Sequence, residues 1–509
     1  MKRLGSTLQY FSMMLCLASV LGAQAQCQEF NERFDDWPLH TRQPGSIVVA
    51  GDISDLAVLP DSVWESMGRT VSPVGDITAA QVAASGLTPG PAVTVSDDAI
   101  DAQRPLLMTT ELILSSSQSA KSSLALAERH IAAGGVVILV GESALDDCSS
   151  AGSHLLPDCR VVTNYDPAKD RESMLEQLSE MPRVVGVGVR SGSVLILSGR
   201  KAMCFGSETH FAIASHKYAE PIEVVLKERK ARQDINSWLV DLTQLRRRAI
   251  DHELELFPSE ERQKPHVAFG TLMIVGGGGM PSGLMDDFVE LAGGADAHLV
   301  YVPCLEDDEA PKRSGTIRQW RQMGVASATI LHTKDRTKAN EDEDFFAPLK
   351  EATGIWFGGG RQWNFADSYY GTTTHRMMKD VLARGGVIGG SSAGASIQAR
   401  YLARATPIQN FDIMAPGYER GGLGFISGVA IDQHFSQRNR HKDMQELVAR
   451  YPQLLGIGID EATAITVRGS TAEVRGKGDV YFFDEDTIVS LPAGVTYDLA
   501  DRKAIEKNK

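Results

Sequence analysis

Residues 174 to 206 and 444 to 476 match one another without a gap at a separation of 270 positions. Met174 meets Met444, Glu176 meets Glu446, Pro182 meets Pro452, and Gly186 and Gly188 meet Gly456 and Gly458. Gly199 and Gly206 meet Gly469 and Gly476, and the apolar run Val184–Val189 lies over Leu454–Ile459. Glycines and valines recur by chance in α/β proteins, but one register held over 33 residues points to a repeated unit. Upstream the spacing changes, yet Ala132–Val137 resembles Ala383–Ile388 and Ile47–Gly51 resembles Met273–Gly276. A chain of 509 residues built this way holds two copies of one fold, each large enough for its own core.

Short apolar runs set the class of that fold. Leu272–Val275, His298–Val302, Gly354–Phe357 and Gly386–Ile388 end at glycine or polar residues, with helical patterns between them. Buried strands alternating with amphipathic helices predict an α/β fold: in each copy, a doubly wound and mostly parallel sheet. Chemistry in such folds collects at the carboxyl ends of strands. The stretch 219–264 is densely charged, with Lys227–Arg232 and Arg246-Arg247-Arg248, and reads as a helical connector. The expected order is therefore 1–25, 26–218, the connector 219–264, and 265–509.

Segment 1–25 has a basic start, Met1-Lys2-Arg3, a short apolar run from Phe11 to Leu21, and Ala23-Gln24-Ala25. This is the pattern of a signal peptide cleaved after Ala25, and the run is far short of the roughly 20 residues that span a bilayer. It predicts a secreted or periplasmic protein, free of the membrane after cleavage. Five cysteines then remain, an odd number, of which Cys148 and Cys159 are spaced to close a loop in an oxidising compartment. No C-x-x-C or spaced histidine pair suggests a metal, and no cofactor is expected. With 51 Lys+Arg against 65 Asp+Glu, the chain lacks the basic footprint of a nucleic-acid binder.

Chemistry concentrates in the second copy. Gly390-Ser391-Ser392-Ala393-Gly394 is a G-x-S-x-G element between an apolar strand and a helical pattern, the setting of a nucleophile elbow. The Ala393 amide, at the helix start, is placed to donate to an oxyanion. A hydroxyl needs a base, and His434 follows the apolar run Ala430-Ile431 among polar residues and two arginines. Glu461, after Gly458-Ile459-Asp460, is the candidate to orient the imidazole, with Asp432 and Asp460 as alternatives. Gly276–Gly279 lacks the Gly-Lys-Ser/Thr of a phosphate loop, and Met280-Pro281 interrupts any helix start.

These residues resemble the cyanophycinase and dipeptidase E group of serine peptidases, peptidase family S51. The resemblance covers about residues 268 to 485 and rests on motifs in the family's order: Ile274–Gly278, Trp356–Gln362, the Ser392 elbow, Asp432–Phe435 and Gly458–Glu461. It implies a fold like that of class I glutamine amidotransferases and a triad of Ser392, His434 and Glu461. It further implies a second oxyanion amide from Gly359 or Gly360, a pocket lined by Gln362, Asp432 and Gln433, and substrate-binding arginines at Arg438 and Arg440. Where cyanophycin-degrading members carry a further arginine, this chain reads His441-Lys442-Asp443.

At the offset of 270, His434 falls on Asn164, Arg438 on Ala168, Arg440 on Asp170 and Glu461 on Ser191. The first copy is therefore expected to be a degenerate, inactive S51-like domain, standing in for the second subunit of a dimer as an intramolecular pseudo-dimer; a homodimer is the other arrangement. The expectation is an exported serine-type peptidase acting through an acyl-enzyme on aspartyl or β-aspartyl isopeptide bonds in a peptide or cyanophycin-like substrate. The alternatives are an inactive scaffold that kept the fold, and an amidase acting on a small amide.

Overall fold

The computed structural model describes residues 46–505 apart from 62, 65–69, 75–78, 85–86, 90–110, 116–120, 133–134, 142–155, 157, 182, 229–238 and 408–411. The segment 1–25, Cys148 and the residues after Gly141 that echo the elbow lie outside the described residues. Cys159 is a buried free thiol. The described residues of Leu256–Ala405 and Asp412–Lys509 form one compact unit, and those of Pro38–Glu255 and Thr406–Phe411 another.

The strands of the N-terminal unit are β1 (Ser46–Ala50), β2 (Thr70–Val74), β3 (Thr88–Pro89), β4 (Glu111–Ser115), β5 (Val136–Val140), β6 (Cys159–Thr163), β7 (Val185–Val189), β8 (Ser193–Ser198), β9 (Lys201–Gly206), β10 (Glu208–Ser215), β11 (Tyr218–Lys227) and β12 (Val240–Asp241). The C-terminal unit continues with β13 (Val267–Val275), β14 (His298–Val302), β15 (Ser327–Ile330), β16 (Gly354–Phe357), β17 (Val387–Ser391), β18 (Ala399–Tyr401), β19 (Ile426–Gln433), β20 (Leu455–Ile459), β21 (Thr463–Gly469), β22 (Thr471–Gly476), β23 (Val480–Asp484), β24 (Thr487–Leu491), β25 (Thr496–Asp498) and β26 (Lys503–Ile505).

The main C-terminal sheet has the order β15-β14-β16-β17-β13-β21-β22-β25-β26. Its first five strands are parallel, and from β13 to β26 every pairing is antiparallel. A smaller sheet, β18-β19-β20-β23-β24, is likewise parallel up to β20 and antiparallel beyond. The sheets are thus mixed rather than mostly parallel. The cause is local: β21 and β22 are joined by Ser470 alone beside Gly469, and β23 and β24 by Glu485-Asp486, connections far too short for a parallel crossover.

Helices cover both faces of the parallel part. Adjacent residues on β16 point to opposite sides: Trp356 meets Phe288 of helix Leu284–Leu291 edge to face at 5.1 Å, and Phe357 meets Phe365 of helix Trp363–Tyr369 at 5.3 Å. Helix Gly315–Gln322 adds Ile317 and Trp320 to the first face. Each such fully buried side chain contributes roughly 1.5–3 kcal/mol.

The N-terminal unit has sheets of the order β3-β2-β4-β5-β1-β8-β9-β12 and β6-β7-β10-β11. Strand for strand, from β3 to β9 and from β6 to β11, this is the order and sense of β15-β14-β16-β17-β13-β21-β22 and β19-β20-β23-β24. Packing repeats as well. Met174 and Leu178 fill the space beside Gly186 as Met444 and Val448 do beside Gly456, and Tyr165 lies on Gly188 as Phe435 lies on Gly458.

The expected helical connector is corrected. Residues 218–227 form β11, with Ile222, Val224 and Leu226 toward the core and Glu223, Val225 and Lys227 exposed. That alternation of period two was hidden by the charges around it. Helix Leu242–Asp251 does form, but its Leu245, Ala249 and Ile250 are buried, and Arg246 pairs with Asp158 of the same unit. It is part of the N-terminal core.

Candidate active site

Four strand ends of the C-terminal unit converge. β17 runs into Ser392, which has φ 56° and ψ −114° and opens the short helix Ala393–Ser396. A side chain at Gly390 would strike the Gly394 carbonyl, and one at Gly394 would strike that of Phe357. Close backbone approach is therefore why both flanking positions are glycine. Left-handed backbone at a serine costs of the order of 1–2 kcal/mol and is held by the surrounding fold.

β19 delivers His434, also left-handed at φ 51°, and its N–H donates to the Gly276 carbonyl at 2.8 Å. Phe435, fully buried, anchors the turn. β20 ends at Ile459, and Glu461 follows. The Ser392 hydroxyl lies 2.9 Å from His434 Nε2, and His434 Nδ1 lies 2.6 Å from Glu461 Oε1. Burial pushes the His434 imidazole below its ordinary pKa of 6.5, and the charges of Arg438 and Arg440 act in the same direction. The Glu461 hydrogen bond opposes them by favouring the protonated ring.

The two other carboxylates have different places. Asp460 accepts from the amides of Ser436 at 2.9 Å and Asp479 at 3.2 Å. Asp432, with no exposed surface, is paired with Arg404 at 2.9 Å and Arg440 at 2.7 Å. Only Glu461 of the three reaches the imidazole.

The glycine run after β13 forms a cradle for these side chains. Methyl groups built on Gly277 and Gly278 would overlap the His434 ring and the Glu461 carboxylate, and both residues have positive φ. The Ala462 amide donates to the Gly277 carbonyl at 2.8 Å. In the sequence this loop stands out as a family motif and lacks the residues of a phosphate site, but nothing there marks it as a cradle for His434 and Glu461. Gly277→Ala is expected to lower kcat about a hundredfold in a folded protein, since displacing a catalytic group by about 1 Å costs that much; an unchanged kcat would refute the cradle.

Of the expected oxyanion donors, Ala393 sits at the first position of its helix, where its amide needs no helical acceptor. Gly359 lies beside Ser392, a methyl there standing 3.5 Å from Ser392 Cβ, whereas Gly360 packs against Cys304. Among the expected substrate contacts, Arg438 alone is solvent-exposed, on the turn that carries His434. Gln362 is buried and donates to the Ala403 and Arg404 carbonyls at 3.1 and 2.8 Å. Arg440 is buried too, holding Asp432 and, at 2.7 Å, the carbonyl of the buried Gln433. All four residues, Gln362, Asp432, Gln433 and Arg440, are buried and held by these bonds. The sequence reading missed Arg404, which joins Asp432 to Asp443, and Gln437, whose side chain accepts from the Glu461 amide at 3.0 Å. Nothing in the spacing of either residue marks it.

The family model of peptidase family S51 matches residues 272–475. A cyanophycinase of Geminocystis herdmanii is 29% identical over 203 residues, which are 40% of this chain and 74% of that protein. A cyanophycinase of Trichormus variabilis is 31% identical over 209 residues, 40% of this chain and 68% of the relative. Among solved structures, a peptidase from an acI-B1 actinobacterium has a TM-score of 0.35 at 21% identity, covering 46% of this chain and 98% of that one. Through its C-terminal half, the chain belongs to peptidase family S51 and is a serine-type peptidase.

Proposed function

We propose that the chain hydrolyses aspartyl or β-aspartyl isopeptide bonds, as its cyanophycinase relatives suggest, through Ser392, His434 and Glu461. The observation that carries this reading is the continuous relay from hydroxyl to imidazole to carboxylate at adjoining strand ends. Ser392 Oγ attacks the scissile carbonyl carbon while its proton passes to His434 Nε2. The Ala393 and Gly359 amides hold the resulting oxyanion. The tetrahedral intermediate collapses, the C–N bond breaks, and His434 hands its proton to the departing amine. Water then attacks the acyl-enzyme with His434 again as base, and Ser392 leaves protonated. Glu461 keeps the ring in the useful tautomer and stabilises its cation. Arg438 is the residue to receive a substrate carboxylate, while Gln362, Asp432, Gln433 and Arg440 support the pocket from behind.

Two further parts of the proposal concern the rest of the chain. Residues 1–25 direct export, giving a secreted or periplasmic enzyme. The N-terminal unit is a degenerate copy with the class I glutamine amidotransferase-like plan, retained as an intramolecular pseudo-dimer half. Its support is the shared strand order and what stands at the catalytic positions: Gly141 after β5, Asn164 after β6 and Ser191 after β7. Asn164 keeps the left-handed backbone of His434, at φ 54°, and bonds Ser191 at 3.0 Å where His434 would bond Glu461. At these three described positions the counterparts of the serine, the imidazole and the carboxylate are replaced.

The test is labelling by a serine-directed phosphonate, read by peptide mapping, together with hydrolysis of β-aspartyl dipeptides. The neutral imidazole is the base, so the labelling rate falls as pH drops through the His434 pKa. Because burial lowers that pKa, the acid limb is expected to have its midpoint below 6.5. Absence of Ser392 labelling in folded protein would overturn the reading, and a midpoint above 6.5 would overturn the assignment of the base.

A further inference from the structure

The 25 residues Ala310–Lys334 contain no Asp or Glu, in a chain with 65 of them. The run holds Lys312, Arg313, Arg318, Arg321 and Lys334, and the fold draws the first four together. Helix Gly315–Gln322 and strand β15 enclose a groove of about 790 Å³ lined by Lys312, Arg313, Arg318 and Arg321, with Ile317 and Ile330 as its apolar part. All four cations are exposed. Lys312 has a loose pair with Glu309 at 3.9 Å, and Arg321 reaches the Ala328 carbonyl at 3.4 Å. Only Lys312 and Arg313 are adjacent, so no longer basic run marks the groove in the sequence.

The groove has a second property. β15 is the edge strand of its sheet and pairs among the described residues only with β14, and Arg321 of the groove's helix reaches its Ala328 carbonyl. A cationic groove beside an open strand edge suits an extended polypeptide that carries carboxylates: main-chain groups pair with the edge, and guanidinium groups take the acids bidentately. A nucleic acid could use the charge but not the strand edge.

Position ties the groove to the active site. β15 lies three strands from β17, about 14 Å at the usual strand spacing. All these strands are parallel, so Lys312 and Arg313, which precede the helix that runs back from β14, stand at the same sheet rim as Ser392. We infer that this groove is a docking site for an acidic, extended polypeptide, holding a distant part of a polymeric substrate. Binding itself does not depend on turnover; only the link to catalysis rests on the aspartyl-peptide reading above.

The experiment uses the full chain with Ser392→Ala and a fluorescent poly-L-aspartate of about 20 residues, followed by anisotropy over a range of salt. Arg313→Glu with Arg318→Glu is expected to weaken binding at least tenfold and to flatten its salt dependence. The charge-matched pair Lys264→Glu and Lys503→Glu, exposed elsewhere on the unit, is expected to leave binding intact. Equal affinity of the groove variant and the parent protein would overturn the proposal. So would a duplex oligonucleotide of equal charge that displaces poly-L-aspartate more effectively than unlabelled poly-L-aspartate does. Failure of phosphonate labelling at Ser392 would instead sink the catalytic reading and leave this binding result standing.

Discussion

Ser392→Ala is expected to lower kcat on a β-aspartyl dipeptide by about 10⁵–10⁶-fold, and His434→Ala by nearly as much. The two losses are expected not to add, because hydroxyl and imidazole act as one unit: without the base the hydroxyl is a poor nucleophile, and without the hydroxyl the base has nothing to activate. The double variant should therefore retain about the activity of either single one, with the residue supplied by the Ala393 and Gly359 amides. Alanine keeps the Cβ of serine and the left-handed backbone at position 392, so stability should shift by no more than about 0.5 kcal/mol. Steady-state kinetics beside thermal unfolding checks both points. A Ser392→Ala enzyme with a tenth or more of the parent activity would show that another residue is the nucleophile.

The serine and histidine were legible in the sequence because each occupies a strand end whose local pattern is unusual. Ser392 needs glycines on either side for reasons of backbone contact, and His434 follows a buried strand and precedes a buried anchor, Phe435. Glu461 was less secure, since Asp432 and Asp460 carry the same charge at similar strand ends. What separates them is where the other hydrogen bonds go. Asp460 is occupied by two backbone amides and Asp432 by two guanidinium groups, and neither arrangement can be read from spacing. The same limit applies to Arg438 and Arg440, which are two positions apart yet lie one outside and one inside the fold. The parallel strands were visible as apolar runs; the antiparallel half of each sheet was not, because Glu223 and Lys227 of β11 and Glu473 and Arg475 of β22 look like polar surface.

The buried ion cluster makes the second large effect a matter of stability. Asp432 has no exposed surface and faces Arg404 and Arg440, each less than a tenth exposed, while Arg404 also reaches the half-exposed Asp443. Two cations and two anions balance, and Arg440 further clamps the Gln433 carbonyl just before His434. Asp432→Ala leaves both guanidinium groups in low dielectric with only Asp443 between them. Removing one partner of a buried pair typically costs about 3–5 kcal/mol, because the stranded charge keeps its desolvation penalty. For a unit of this size that corresponds to a fall in Tm of roughly 6–20 °C. Asp432→Asn keeps the shape and two acceptor lone pairs, so it should lose less stability yet still loosen the His434 backbone and lower kcat. The comparison separates support from substrate contact. Were Asp432 a substrate ligand, Asp432→Ala would raise KM with little change in Tm. The buried cluster requires the reverse order, with the loss of Tm coming first and KM changing only as far as the pocket deforms.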